Sequence, residues 1–414
     1  MGDVMKKVAF ITVGCRSNEF DTHFMAHNFR QKGYKVVVDE PADIYIINTC
    51  CVTSGAERSS RQFVYRSKRA NPSALIVVTG CYAQTNPQAL AKLKEVDLVV
   101  GNTHKKDILR IVEEYLEGKE ERVHVGNIFT QREVENFDVI TYFEKVRPFV
   151  KVQEGCNRFC TFCVIPFARG KSRSVPKEKV IKEVELLAER GFKEIVLTGT
   201  QLTQYGLDMG TSLYELLKDL LKIKGIELIR LSSVYPSEIS NDLLNLLLTE
   251  EKIAPHFHIP LQSGSDRILK LMKRDYSVKD YVSLVEKIVS KRPLSAIGTD
   301  VIVGFPSEKE EDFQLTYRLL QELPIYYMHV FPYSDREKTK ASAMKEKVSE
   351  KVKRERVDIL KTLDNAKREE FIKKNQGREL RALIIEENEL LTENYIKLRR
   401  EGYSAVGELV RIKV

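Results

Sequence analysis

No uninterrupted apolar run among the 414 residues approaches the roughly 18 to 20 that a membrane-crossing helix requires. The opening stretch, MGDVMKKVAFITVG, has charges and a glycine where a secretory leader would carry its apolar centre, so a cytoplasmic protein with no membrane partner is expected. No internal repeat of fixed period and no low-complexity tract is present, which sets aside repeat architectures and disordered arrays. Cysteine is sparse. Seven thiols in a long chain of a reducing compartment do not read as a disulfide framework, and clusters among them point to metal binding or catalysis. A strong charge imbalance is missing too: a net charge of +8 with 30% charged residues permits a polyanionic partner such as nucleic acid without requiring one.

The chain is too long for a single ordinary core, and its pattern divides it. Up to about residue 126, apolar β-rich runs (KKVAFITVG, KVVVDE, ADIYIINT, ALIVVTG, DLVVG) alternate with helical patterns, predicting a parallel α/β domain with both faces of its sheet covered. A polar stretch, 127–146, reads as a linker. From RPFVKVQEGC onward six strand candidates (PFVKV, EIVLTG, ELIRLSS, PHFHIPL, AIGTDVIVGF, YYMHVFPY) alternate with helices across 147–344, predicting a partial (βα)6 barrel whose active site lies at the carboxyl ends of its strands. A long charged helix is expected over 345–374, and 375–414 reads as a small all-β domain.

The stretch QEGCNRFCTFCVIPFARGKSRS places Cys156, Cys160 and Cys163 directly after the first barrel strand. A structural zinc site needs four nitrogen or sulfur ligands, and the nearest histidines in sequence, His124 and His256, are more than thirty positions away. A [4Fe–4S] cluster held by three thiolates keeps one iron open to an exogenous group, which suits a cluster that must bind a substrate or cofactor; zinc and plain core packing are the alternatives. Cys15, Cys50 and Cys81 show no local spacing. However, AFITVGC, IYIINTC and IVVTGC each end a predicted parallel strand on a cysteine, the edge at which open α/β sheets bind ligands. A second three-thiolate cluster is the economical reading, with Cys51 as the cysteine that points elsewhere, and Gly14 and Gly80 letting the backbone turn closely around a bulky ligand.

The CxxxCxxC spacing and its place in the barrel resemble the radical S-adenosylmethionine (SAM) superfamily. The resemblance implies that SAM chelates the open iron and yields a 5′-deoxyadenosyl radical. Phe162 then matches the aromatic that packs on the SAM adenine, and Gly199 in LTGTQL the backbone that meets its amino group. Gln262 and Ser263 of PLQSGSD, with Asp300 and Gly304 of TDVIVGFP, fall at strand ends facing the same mouth and are further candidates for SAM or cluster contacts, strand-end packing being the alternative.

The whole plan is similar to the methylthiotransferase family, which implies two [4Fe–4S] clusters, SAM as cofactor, and a C-terminal RNA-binding barrel of five strands called TRAM. NTCCVT, GCYAQ, HIPLQSGSDRILKLMKR and HVFPYSDREKT look most like the MtaB type, acting on threonylcarbamoyladenosine in tRNA. The resemblance implies insertion of sulfur and a methyl group at C2 of that base, one SAM methylating a cluster-bound sulfur and a second giving the radical. Isopentenyladenosine in tRNA, an aspartate of a ribosomal protein, or a non-catalytic iron–sulfur RNA-binding protein are the other readings. DREKTKASA departs from the family's usual PRPGTPA.

Basic residues beside both cysteine sets, Arg58, Arg61, Arg66 and Arg69 on one predicted helix and Arg169, Lys171 and Arg173 after the barrel cysteines, are candidates for RNA phosphates; solvated surface is the plainer reading of any one of them. An electron donor and a sulfur source are required but not legible, and a monomer is expected.

Overall fold

The computed structural model describes residues 5–134 and 146–414; most of the stretch read as a linker lies outside them. The first sheet has six strands, all parallel: β1 (Lys7–Thr12), β2 (Lys35–Val37), β3 (Ile44–Thr49), β4 (Leu75–Gly80), β5 (Leu98–Gly101) and β6 (Val123–His124), in the order β2-β1-β3-β4-β5-β6. β3 and β4 are buried at every position because both faces are covered, and alternate residues divide between two cores. Ile44, Ile46, Val77 and Val100 meet Met25 and Phe29 of the helix Arg16–Gln31 and Ile111 of the helix Ile108–Leu116. Tyr45, Ile47, Val78 and Val99 meet Val64 of the helix Ser54–Ala70 together with Tyr82 and Leu90. Thr53 starts that second helix by accepting the Ala56 amide on its side chain.

The barrel is built from β7 (Phe149–Glu154), the short antiparallel β8 (Arg173–Ser174), β9 (Glu194–Gly199), β10 (Leu228–Leu231), β11 (His256–His258), β12 (Ala296–Val303) and β13 (Tyr327–Pro332). Ladders join β10-β9-β7-β8 and β11-β12-β13, and single parallel bridges, Ile229 to Ile253 and Ser233 to His258, close the gap between them. The result is six parallel strands in an open barrel, as the alternation of strand and helix patterns predicts. Val150, Val152, Leu197, Ile229 and Phe257 join one large apolar core. The intervening Lys151, Gln153, Thr198, Arg230, His256 and His258 are buried polar residues.

The long helix runs from Glu350 to Asn375, five residues shorter at its start than the sequence pattern suggests. Ser349 sets that start by accepting the Val352 amide, and a separate turn occupies Lys340–Ala343. The helix lies on the far strands of the barrel, where Asp364 takes the Met328 amide at 2.7 Å and Lys367 reaches the Leu323 carbonyl at 3.0 Å. The chain ends in an antiparallel sheet of β14 (Glu379–Glu386), β15 (Glu389–Thr392), β16 (Lys397–Arg399) and β17 (Leu409–Lys413), ordered β16-β15-β14-β17. Among the described residues this sheet has four strands rather than five. Arg230 ties it to the barrel: paired with Glu194, both fully buried, it also donates to the carbonyls of Glu393 and Thr392.

Candidate active site

In the first sheet β1, β3 and β4 are neighbours, so their carboxyl ends bring Cys15, Cys50 and Cys81 to one edge. Strands pack about 4.8 Å apart, which puts three thiols from distant parts of the chain within reach of one ligand. The backbone between them is stripped of side chains. Gly14 has φ +120°, and a Cβ there would lie 2.9 Å from the Cys50 Cβ and 3.3 Å from its Sγ; Gly80 has φ +92° and would drive a Cβ into the Thr49 carbonyl at 2.6 Å. Burial, with Cys81 alongside, pushes the Cys50 thiol up to about 12. A hydrogen bond from Cys51 brings Cys81 down to about 6 against its burial, with Arg169 and Asn102 assisting. Cys51 is buried in the core that also holds Cys81, and it borders a separate hollow lined by Glu57, Thr85 and Arg336 that neither Cys15 nor Cys50 lines.

The barrel cysteines lie on the loop after β7. Gly155 (φ +80°) lets that loop pass so close to Lys171 that a Cβ would fall 2.0 Å from the Lys171 carbonyl oxygen. The Cys163 amide donates to the Cys160 carbonyl at 3.0 Å, closing the tight turn between the last two thiols. The Arg158 amide donates to the Cys156 sulfur at 3.4 Å and the Arg274 guanidinium to the Cys160 sulfur at 3.5 Å. Arg274 is fixed over the rings of Tyr235 and Tyr276, 4.2 and 5.0 Å from their centroids. Burial pushes Cys156 up to about 11 and Cys163 further. Bringing three thiols together without a cation favours their protonated forms; a metal cluster supplies the positive charge that would make them thiolates. Both donor sets thus fit an iron–sulfur cluster.

Between the two cysteine sites lies a buried network of ionic groups. Asp21 pairs with Lys105 at 2.8 Å, Lys151 at 2.9 Å and Arg169 at 3.0 Å; Glu154 pairs with Lys151 at 2.8 Å, with Arg169, and with Arg173 at 3.6 Å. Burial raises the Asp21 carboxyl, but the surrounding cations bring it to about 2. With four cations for two carboxylates, the network carries a positive excess that complements thiolates nearby. These geometries correct two sequence expectations. Arg169 and Arg173, expected at RNA phosphates, are buried and joined to acids and carbonyls inside the protein. Sequence shows their charge but not their partners. Lys171, Arg58, Arg66 and Arg69 are exposed, while Arg61 is half-buried and donates to the Tyr82 hydroxyl at 3.1 Å.

Two adjoining hollows open between the first sheet and the barrel, sharing Val52 and Ile165. The smaller, about 220 Å³, is lined by Phe162, Cys163, Gln262, Asp300, Ile302, Phe331 and Tyr333. Gln262 sits at φ +70°, its amide on the Asp300 carbonyl at 2.8 Å. The larger, about 530 Å³, has Gly14, Cys15 and Arg16 on one wall and Thr198, Gly199, Thr200, Ser232, His258 and His329 on another. The hydroxyls of Thr200 and Ser232 and Nδ1 of His256, all on lining residues, are buried with no hydrogen-bond partner among the described residues. Gly304 does not line either hollow: its φ of +71° accommodates Lys353, against which a Cβ would lie 2.4 Å from Cγ.

The sequence reading passes over a chain of aromatic and imidazole groups at this wall. Tyr327 OH lies 2.8 Å from His256 Nε2 and 3.1 Å from His258 Nδ1; His258 Nε2 and His329 Nδ1 lie 3.0 and 3.1 Å from one Asp300 oxygen. Burial raises the Asp300 carboxyl, yet the hydrogen bonds and charges of the two imidazoles hold it well below the usual carboxylate range. The alternation H-x-H on β11 and Y-x-H on β13 was the available signal, since residues two apart on a strand share a face.

Comparison with known proteins agrees with this architecture. Residues 7–101 match the model of the uncharacterized protein family UPF0004, and residues 150–320 that of the radical SAM superfamily, which implies a [4Fe–4S] cluster and SAM. A threonylcarbamoyladenosine tRNA methylthiotransferase MtaB from Aquifex aeolicus is 64% identical over 99% of this chain and 100% of its own length. The enzyme of that name from Bacillus subtilis is 39% identical over 99% of this chain and 94% of its own. Among solved structures, the radical S-adenosylmethionine methyltransferase TsrM from Kitasatospora setae shares the fold with TM-score 0.61 at 14% identity, covering 82% of this chain and 77% of that one. At 64% identity from end to end, the chain belongs to the MtaB family of tRNA methylthiotransferases.

Proposed function

We propose that this protein inserts sulfur and a methyl group at C2 of N6-threonylcarbamoyladenosine beside the anticodon of tRNA. Cys156, Cys160 and Cys163 would hold one [4Fe–4S] cluster, and Cys15, Cys50 and Cys81 a second. When bound, the first cluster with SAM supplies the one-electron chemistry that opens an unactivated C–H bond, and the second holds the sulfur to be transferred.

The observation that carries the reading is the pair of adjoining hollows: Cys163 borders one, Cys15 the other, and Val52 and Ile165 border both. Such an arrangement suits a base that must meet the radical and the sulfur in one place. The chain's own residues supply position and shelter. Phe162, Ile302 and Phe331 offer an apolar surface for an adenine, while Gln262 and Asp300 offer polar groups beside it. Arg274 and the Arg158 amide steady the thiolates of Cys160 and Cys156. Arg58, Arg66, Arg69 and Lys171 remain exposed cations for RNA phosphates. The C-terminal sheet would contribute to RNA binding as a TRAM-like domain.

A nucleoside profile of tRNA from cells with and without this protein tests the assignment. Loss of the 2-methylthio form of threonylcarbamoyladenosine, with 2-methylthio-isopentenyladenosine unchanged, is expected. An unchanged profile, or loss of the isopentenyl product instead, would refute it.

A further inference from the structure

Resting on that assignment, we infer that Arg16 is the specificity residue that binds the carboxylate of the threonylcarbamoyl side chain. This substituent differs from an isopentenyl group in one decisive respect: it ends in an anion. Enclosing a carboxylate is strongly unfavourable unless a cation and hydrogen-bond donors meet it, whereas an isopentenyl chain needs an apolar wall. The charge of the wall that receives the substituent therefore decides which base is accepted.

Arg16 follows Cys15 directly and opens the helix Arg16–Gln31; it is half-buried on the wall of the larger hollow. Its guanidinium donates to the Tyr395 hydroxyl at 3.3 Å and lies 5.8 Å from the Phe149 ring centroid, and it forms no ion pair among the described residues. The neighbouring buried guanidiniums are held in ion pairs, Arg169, which also lines the hollow, with Asp21 and Glu154 and Arg230 with Glu194. The one carboxylate among the lining residues, Glu19, is engaged in an interaction of its own. Arg16 is thus a cation without a counter-ion in a sheltered cavity, which is the description of an anion site.

Its orientation is prepared in advance. Tyr395 comes from the turn between β15 and β16, is held at φ +74°, and stacks on His256 with ring centroids 4.1 Å apart. The Arg230 guanidinium lies 5.2 Å from the centroid of the same ring. The C-terminal sheet thereby fixes a residue of the first domain through a tyrosine packed in the barrel. His329, on another wall of the same hollow, has Nδ1 on Asp300 and a side chain 51% exposed; its second nitrogen has no partner among the described residues. An imidazole whose Nδ1–H is donated to a carboxylate offers Nε2 as an acceptor in its neutral form, which suits a hydroxyl or N–H of the substituent rather than its carboxylate.

The experiment uses the full chain with its clusters reconstituted and three anticodon stem-loop RNAs, carrying adenosine, threonylcarbamoyladenosine, or the neutral carboxamide of the latter. Affinities are read by fluorescence anisotropy, beside iron content and SAM affinity. The wild type is expected to prefer the carboxylate over the carboxamide by about tenfold to a hundredfold, the range of a charge-assisted hydrogen bond. Arg16→Gln should abolish that preference while carboxamide affinity stays within about twofold, Arg16→Lys should restore part of it, and Tyr395→Phe should reduce it without altering the residue beside Cys15. The inference is overturned by a retained preference in Arg16→Gln, by equal weakening for all three RNAs, by weakened SAM binding instead, or by loss of iron. Turnover of the wild type on the threonylcarbamoyl RNA and on a fourth stem-loop carrying isopentenyladenosine is measured alongside: if it converts the isopentenyl form and not the threonylcarbamoyl form, the functional assignment itself fails, which is a different result from an active wild type indifferent to Arg16.

Discussion

The two cysteine triads are assembled by opposite constructions. In the barrel, Cys156, Cys160 and Cys163 come from one loop, and a turn closed by the Cys163 amide on the Cys160 carbonyl brings the thiols together. In the first domain, Cys15, Cys50 and Cys81 are gathered only because β1, β3 and β4 are neighbours in a parallel sheet. The barrel triad is a local structure carried by the fold; the other exists only once the sheet has formed. It follows that the first domain's site should be the more sensitive to anything that loosens tertiary packing. Their electrostatics differ in the same direction. The barrel thiols have a single guanidinium on Cys160, whereas the first domain's site borders a network of ionic groups shared by both domains.

The largest test separates the two sites outright. Changing Cys156, Cys160 and Cys163 to Ala should lower iron from about eight to about four atoms per chain and abolish formation of 5′-deoxyadenosine. Changing Cys15, Cys50 and Cys81 to Ala should also leave about four irons, but with SAM cleavage retained and sulfur insertion lost. Identical phenotypes for the two triple variants would collapse the distinction. Next in size, Arg169→Met removes one of the two cations, the other being Lys151, that join Asp21 to Glu154. With Lys105, Lys151 and Arg173 still meeting the two carboxylates, the cost is below the roughly 3 to 5 kcal/mol of breaking an isolated buried pair from one side, and is read as a lower denaturation midpoint. Because Arg169 also donates to Asn18, which lies 3.7 Å from the Cys81 sulfur, iron should be lost from the first domain's site before the barrel's.

How far each site is legible in the sequence follows from the same contrast. The CxxxCxxC spacing encodes its own geometry, so the barrel site can be read without knowing the fold. Cys15, Cys50 and Cys81 are legible one step further on, since each ends an apolar run that can be recognised as a strand, and the sheet order then supplies the neighbours. The ionic network is beyond such reading. Asp21 meets Lys151 across 130 positions, and a charged residue in sequence carries no mark of whether its counter-ion will be buried with it. Arg169 and Arg173 looked like surface cations for that reason. Tyr395 and Arg16, 379 positions apart, are joined only by the docking of the C-terminal sheet on the barrel.

A smaller effect sharpens the comparison through pH. Burial raises Cys156 to about 11 and Cys50 to about 12 in the metal-free chain, above the value of about 9 for an exposed thiol. A group whose folded value is raised stabilises the fold fully below its unfolded value and loses that contribution as pH climbs to the folded one. The metal-free protein should therefore lose thermal stability between pH 9 and about 12 through these thiols, a loss absent when the same cysteines are changed to Ala. Cys51→Ala asks whether a fourth thiol matters in the first domain. Cys51 packs in the same buried core as Cys81 without lining the hollow that Cys15 borders, so the variant should keep its full iron complement with a shifted cluster spectrum, whereas Cys50→Ala loses iron. Loss of iron in Cys51→Ala would make Cys51 a ligand and leave no open position.

The smallest effect concerns the loop that departs from the family pattern, DREKTKASA, which clamps the barrel to the first domain. Arg336 pairs with Glu57 at 2.7 Å, and Lys338 donates to the Thr85 carbonyl at 2.9 Å, four residues after Cys81. Lys338 stands where the family's PRPGTPA has glycine, and its φ of +70° explains the glycine: the loop needs a left-handed residue there. Lysine accepts a backbone penalty of about 1 kcal/mol in that conformation and recovers a comparable amount through its bond to Thr85. Two substitutions separate these terms. Lys338→Ala keeps the strained backbone and loses the bond, and should destabilise by about 1 kcal/mol. Lys338→Gly loses the bond but relieves the strain, and should remain within about 0.5 kcal/mol of the parent. Should alanine and glycine destabilise equally, the positive φ carries no penalty, and the lysine side chain alone fastens the loop to the domain that bears Cys81.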